Sequence, residues 1–215
     1  MLDLDEYILY HEADYPLEWD TTQKGTTNWP KLIQVLKVAL ADETFWDQSA
    51  WAAEASDEAE EACGTTYCLA GWTAALEGWR VLLDELGRPS AGNVWVKLPG
   101  DVKLPPYTVD WDTTTHQSTW LAKNLGIKPG DDRVSTAVDE IAERILGLHP
   151  SDGVRLFYTT DNERMLIMLK CMAMRDGVEL PEWLSNRIER AMEHFRELYK
   201  VSHEFYLLRS YGGWE

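Results

Sequence analysis

Apolar residues recur at helical spacing through most of this chain. In "TTNWPKLIQVLKVALAD", Leu32, Val35, Leu36, Ala39 and Leu40 share one face. Asn28 stands where an N-cap belongs and Pro30 where a missing N–H does no harm, so a helix is predicted to start there. A second stripe, Leu69, Trp72, Ala75 or Leu76, Trp79 and Leu83, predicts a helix from Thr66 to Leu86. Thr65 or Thr66 would cap it, Gly87 would end it, and Gly71 and Gly78 inside it would mark close approaches. Further stripes follow: Trp120, Leu121 and Leu125 before Gly126; Val138, Ile141, Ala142, Ile145 and Leu146 before Gly147; and Met165, Leu166, Met168, Leu169 and Met172. Between the last two, Ser151 begins a short turn carrying Val154, Leu156 and Phe157. Pro181 opens the last long helix, with Trp183, Leu184, Ile188, Met192, Phe195 and Tyr199 inward and alternating acids and bases outward.

The helical period breaks between Arg88 and Asp132. There "NVWVKLPGDVKLPPYTV" predicts a small β-hairpin around residues 93–104, with strand-like triplets about a Pro-Gly turn. The expected fold is therefore mainly α. It is a compact multi-helix domain over 28–215 with an insertion at 88–132, preceded by an acidic, aromatic segment at 1–27.

Composition sharpens this picture in two ways. The 11 Trp and 9 Tyr can hold helices together where aliphatic residues are sparse, because each buries a large area. The net charge of -17 is uneven, since residues 1–62 hold 15 of the 37 acids and only 3 of the 20 bases. Such a field repels phosphate backbones, so direct nucleic-acid binding is not expected and a basic protein partner is. No apolar run is long enough to span a bilayer, and "MLDLDEYILY" lacks the cationic start of a secretion signal, which makes the cytoplasm the expected compartment. Three cysteines do not make a disulfide framework, so Cys63, Cys68 and Cys171 are read as thiols.

The candidate chemistry lies in "ACGTTYCLAGW". A thiol at a helix N-terminus sits in the positive end of the macrodipole, which favours thiolate. Cys63 could then be a nucleophile, with Gly64 and Thr65 supplying N–H groups for an oxyanion. The segment is similar to the Cys-Gly-x that precedes the catalytic helix in several cysteine peptidases and deubiquitinating enzymes. A base would have to be His116, oriented by Asp112, because His11, His149, His194 and His203 have less suitable settings. A pair of Cys five positions apart is not zinc-knuckle spacing, and neither a metal nor another cofactor is expected. The alternative is that the pair is buried scaffold at the start of a helix, with Cys68, Leu69, Ala70, Gly71 and Trp72 in the core.

Three elements together, Asp47, Gln48 and Trp51, then Cys63, Gly64, Thr65, Cys68, Ala70, Gly71 and Trp72, then Ala142, Ile145, Leu146, Gly147, Leu148, Leu156 and Phe157, carry a resemblance. The chain resembles a group of uncharacterised actinobacteriophage and bacterial proteins that share D-Q-x-x-W, C-G-T-x-x-C-x-A-G-W and L-G-L…L-F elements. The resemblance implies a compact helical module with no assigned reaction, and hence scaffold more than enzyme. The expected function is non-enzymatic: binding of a host or phage macromolecule, in a host-takeover or anti-defence role. Tyr7, Tyr10, Tyr15 and Trp19 would be its anchors among acids that include Asp14 and Glu18. A cysteine hydrolase built on Cys63 and His116 is one alternative. An acidic nucleic-acid mimic that inhibits a DNA-binding protein is the other.

Overall fold

In the computed structural model, helix α1 runs Trp29–Ala39 and begins as its sequence requires. The Asn28 side chain accepts the Lys31 N–H at 3.3 Å, the Asn28 carbonyl accepts the Leu32 N–H, and Pro30 lies in the first turn. Its buried face is Trp29, Leu32, Val35, Leu36 and Ala39. Each large aliphatic side chain buried in this way stabilises by about 1.5–3 kcal/mol. The structure describes residues 5, 8–9, 26–41, 53–54, 65–66, 68–81, 94–97, 132–135, 137–159 and 161–211, the last eleven as helical backbone. These residues belong to two compact units, Thr26–Thr160 and a second made of Met1–Gly25 with Asp161–Glu215. The sequence division at 27/28 groups the last two helices with 28–160. In the structure they group with the first 25 residues instead.

The 26–160 unit continues with two short antiparallel strands, β1 (Ala53–Glu54) and β2 (Thr65–Thr66), which pair Ala53 with Thr66 and Glu54 with Thr65. Helix α2 is Leu69–Leu76, much shorter than its apolar stripe predicted, with Cys68 at the N-cap. Thr65 and Thr66 are strand residues, so neither caps it. The helix stops because Gly78 takes φ +86°, and the chain then extends into β3 (Trp79–Val81). A Cβ at Gly78 would meet nothing, so the glycine answers the backbone angle and not a close approach. Arg80 reaches back to donate to the Ala75 carbonyl at 3.0 Å, satisfying one of the acceptors that a helix end leaves open.

The strand predicted near residue 95 is realised as β4 (Trp95–Lys97). It is the centre of a three-stranded antiparallel sheet, between β3 and β5 (Val134–Ser135). Trp79 pairs with Lys97, Val81 with Trp95, and Trp95 in turn with Ser135. Trp79, Val81, Val94, Trp95 and Val96 are all buried, so this small sheet carries part of the core.

Helix α3 (Val138–Leu146) buries Val138, Ile141, Ala142 and Leu146, with Asp139 and Glu140 in its first turn and Arg144 in its last, as the helix dipole favours. Gly147 ends it in the left-handed conformation, and the Leu148 N–H returns to the Glu143 carbonyl at 3.0 Å. Helix α4 (Pro150–Tyr158) follows, capped by His149 and not by Ser151. It buries Leu156 and Phe157 but leaves Val154 exposed. Helix α2 packs chiefly on α3, α1 packs on α2, and α4 folds back on α3. The Asn28 N–H donates to the Leu146 carbonyl at 2.7 Å, joining the start of α1 to the end of α3.

In the other unit Asp5, Ile8 and Leu9 are helical, and Ile8 and Leu9 are buried. Helix α5 (Asn162–Asp176) is capped by Asp161, whose carboxylate accepts the Arg164 N–H at 2.8 Å, and ended by Gly177 at φ +65°. It buries Met165 through Leu169 and Cys171 through Ala173, so it is covered around most of its circumference. Helix α6 (Glu182–Tyr211) buries one stripe, Leu184, Ile188, Ala191, Met192 and Phe195, and packs on α5. Trp183 and Tyr199 are only half-buried. The molecule is mainly α; its described residues also form a two-stranded and a three-stranded antiparallel sheet, and among them no helix is long and apolar enough to cross a membrane.

Candidate functional site

Of the thiol segment, the structure describes the part from Cys68 onward together with the Thr65–Thr66 strand. Because α2 begins at Leu69, the residue in the field of its N-terminus is Cys68, and Cys63 precedes a strand. Cys63 itself lies outside the described residues. Cys68 is 1% exposed and makes no capping bond through its side chain, while Leu69, Ala70 and Gly71 beside it are buried. Cys171 is fully buried within α5, and burial pushes its thiol up to about 12. Both cysteines are reduced thiols. Trp72 is half-buried, and Leu146 and Phe157 are buried in α3 and α4, so the described motif residues belong to the packed interior.

Charge chemistry gathers on α6 of the 1–25/161–215 unit. Arg196 donates from Nε and Nη2 to the two Asp5 carboxylate oxygens at 2.7 and 2.9 Å, from Nη1 to Glu193 at 2.8 Å and from Nη2 to Glu189 at 2.7 Å. The guanidinium holds the Asp5 carboxyl below its usual range, and Asp5 first, then Glu193 and Glu189, hold Arg196 above its own. Asp5 is about half exposed, so the pair stabilises by no more than about 1 kcal/mol. His194 pairs through Nδ1 with Glu163 across α5 and α6. These contacts tie elements together, and none places a base beside a nucleophile.

The corner between α3 and α4 is different, because it joins titratable groups to exposed apolar surface. The His149 Nδ1 accepts the Ser151 N–H at 3.2 Å and lies 2.8 Å from the Ser151 hydroxyl, which starts α4. Buried Asp152 sits in the first turn of α4. One turn apart on the flank of α3, Asp139 and Glu143 face α4. The Tyr158 hydroxyl donates to Asp139 at 2.9 Å, and the Glu143 side chain lies over Gly153, where a Cβ would collide with it. Burial, then Asp139 and Glu140, push the Glu143 carboxyl above its usual range, with His149 opposing. Asp139, first through the hydrogen bond, pushes the Tyr158 phenol up. Tyr158 is nevertheless 58% exposed, and Val154 one turn earlier is 55% exposed. The result is a tyrosine of fixed hydroxyl and an aliphatic neighbour bordered by carboxylates.

Sequence reasoning passed over this corner, although its signal was present: Asp139 and Glu143, and Val154 and Tyr158, are each four apart on a helix. Several sequence-derived candidates lie outside the described residues: Tyr7, Tyr10, Asp14, Tyr15, Glu18 and Trp19; Asp47 and Trp51; Cys63 and Gly64; Asp112 and His116. Of Thr65 the strand backbone alone is described. Among the described residues no group of His, Cys, Asp and Glu could hold a metal ion. No family model matches the chain, no curated protein is significantly similar to it, and no solved structure matches it.

Proposed function

We propose that this chain is a non-enzymatic, acidic protein that acts by binding a basic protein of a bacterial host or of a phage. The observation that carries the reading is the excess of carboxylates, 37 acids against 20 bases, and the two described thiols, Cys68 and Cys171, lie in the interior. The resemblance to actinobacteriophage proteins supports the phage setting. An excess of 37 acids over 20 bases favours partners of opposite sign and speeds their encounter. The tyrosines and Trp19 of the first 27 residues supply aromatic anchors of the kind that carry much of the energy at interfaces.

The test uses the full chain, because Ile8 and Leu9 are buried and removing the first residues would cut into a folded unit. Immobilised protein is exposed to clarified bacterial lysate and eluted with rising salt. A discrete set of basic proteins should be retained and released as ionic strength approaches about 1 M, where the screening length is about 3 Å. The Cys63→Ala and His116→Ala variants should retain the same set. A catch or a cellular phenotype that disappears with Cys63→Ala would overturn the non-enzymatic reading, and retention of no basic protein would overturn the binding one.

A further inference from the structure

An exposed apolar pair on a helix costs solvation unless something covers it, and on α4 the pair is not accidental in its surroundings. Helical geometry advances each residue by about 100°, so Val154 and Tyr158 lie along one line of α4, and Asp139 and Glu143 along one line of α3. The Tyr158–Asp139 bond and the contact of Glu143 with Gly153 set the two lines side by side. Glu140 falls one residue round from Asp139, on the line of Arg144 and not on this face. The bases of these helices, Arg144 and Arg155, fall one residue round from Glu143 and Val154, and so on different faces.

We propose that this face, Val154 and Tyr158 bordered by Asp139 and Glu143, docks a cationic segment of a partner protein. Lysine or arginine side chains would meet the carboxylates, and an apolar side chain would lie on Val154 and the Tyr158 ring. The inference rests on the binding reading above and gives it a surface in the 26–160 unit. Charge decides the occupant: an apolar strip edged by carboxylates penalises anionic and nucleic-acid partners through repulsion and rewards cations that arrive with apolar neighbours. The hydrogen bond from Tyr158 lowers the ordering cost of using that ring as an anchor.

The probe is a fluorescein-labelled peptide of alternating lysine and leucine, titrated with the full chain and read by anisotropy at low salt. Tyr158→Ser should weaken binding about tenfold, as for a buried anchor, and the double change Asp139→Asn with Glu143→Gln should do the same. The double change Glu179→Gln with Glu182→Gln removes equal charge from exposed positions elsewhere and should leave affinity unchanged. Circular dichroism checks the fold of each variant, and Val154→Ser replaces Tyr158→Ser should the latter lose helix. Equal weakening by both double changes, or no effect of the serine variants, would overturn the proposal in favour of adhesion to the general negative field. Loss of binding in Tyr10→Ser with Trp19→Ser, but not in the α3–α4 variants, would overturn this surface and leave the binding reading standing. A wild-type chain that does not bind the peptide would overturn both.

Discussion

Gly147 joins two constraints at one atom. Its φ of +62° lies in the left-handed region, which costs an L-residue about 1–2 kcal/mol, and a Cβ there would stand 2.6 Å from the Thr26 carbonyl oxygen. That oxygen is backbone, held beside the Asn28–Leu146 hydrogen bond, so it cannot swing aside. Gly147→Ala should therefore cost about 2–4 kcal/mol, whereas Gly78→Ala, whose Cβ meets nothing, should cost only the backbone strain of about 1 kcal/mol. Urea unfolding of the two variants checks this, and equal costs would mean that the Thr26 contact contributes nothing. The thiols give a second residue-scale expectation. In a Cys63→Ala chain, Cys68 and Cys171 should resist a bulky disulfide reagent at pH 8 and react only as fast as the protein opens, because both are buried and the Cys171 thiol is pushed up to about 12. Prompt labelling of either would show that the sulfur is reached without unfolding.

At the scale of elements, the Glu143 carboxylate on α3 and the Asp5 carboxylate held by Arg196 of α6 respond to pH with opposite sign. The Glu143 carboxyl on α3 is raised from its ordinary 4.5, so the folded state binds its proton more tightly than the unfolded chain does. The stability this contributes is present below 4.5 and is lost as pH rises through the raised value. Glu143→Gln, which mimics the protonated form, should thus be more stable than the parent at pH 7 and match it in acid. Asp5, lowered from 3.8 by Arg196, contributes stability above 3.8 that is lost as pH falls through its depressed value. Asp5→Asn should therefore be the less stable chain at pH 7 and equal to its parent at the lowest pH. Thermal melts across pH 2–7 test both, and a shared sign would refute the assignment of one of them. Whether such elements could be read from the sequence depended on how local their causes are. The stop at Gly147 and the cap at Asn28 are decided within a few residues, and the stripes of α1, α3, α5 and α6 were legible for the same reason. Trp72, Leu76 and Trp79 keep a helical spacing, yet Trp79 leaves the helix to pair with Lys97, a partner that lies far along the chain and leaves no local mark. The α3–α4 corner was missed because "VRLFY" is apolar or aromatic at every position but Arg155, which hides which of those side chains turn inward. Only the packing of α4 decides that Leu156 and Phe157 turn inward while Val154 and Tyr158 turn out.

Across the whole molecule the governing quantity is the imbalance of 37 acids against 20 bases. Surplus like charges repel one another over distances set by the screening length, about 10 Å at 0.1 M salt and about 3 Å at 1 M. The attractive pairs act at shorter range: Arg196 meets Asp5, Glu189 and Glu193 at 2.7–2.9 Å, inside the screening length even at high salt. Added sodium chloride therefore removes more repulsion than attraction, and the melting temperature should rise, most steeply below about 0.2 M, where the screening length changes fastest. A melting temperature that falls with salt would place the balance with local ion pairs instead. The same screening should act in the opposite direction on the α3–α4 face, weakening the cationic peptide over the range in which the chain itself becomes more stable. Measured together, the two trends separate a carboxylate-edged docking surface from a peptide that binds only because the protein is partly unfolded, since salt would suppress unfolding and peptide binding together in that case but would leave the loss of affinity in Tyr158→Ser unexplained.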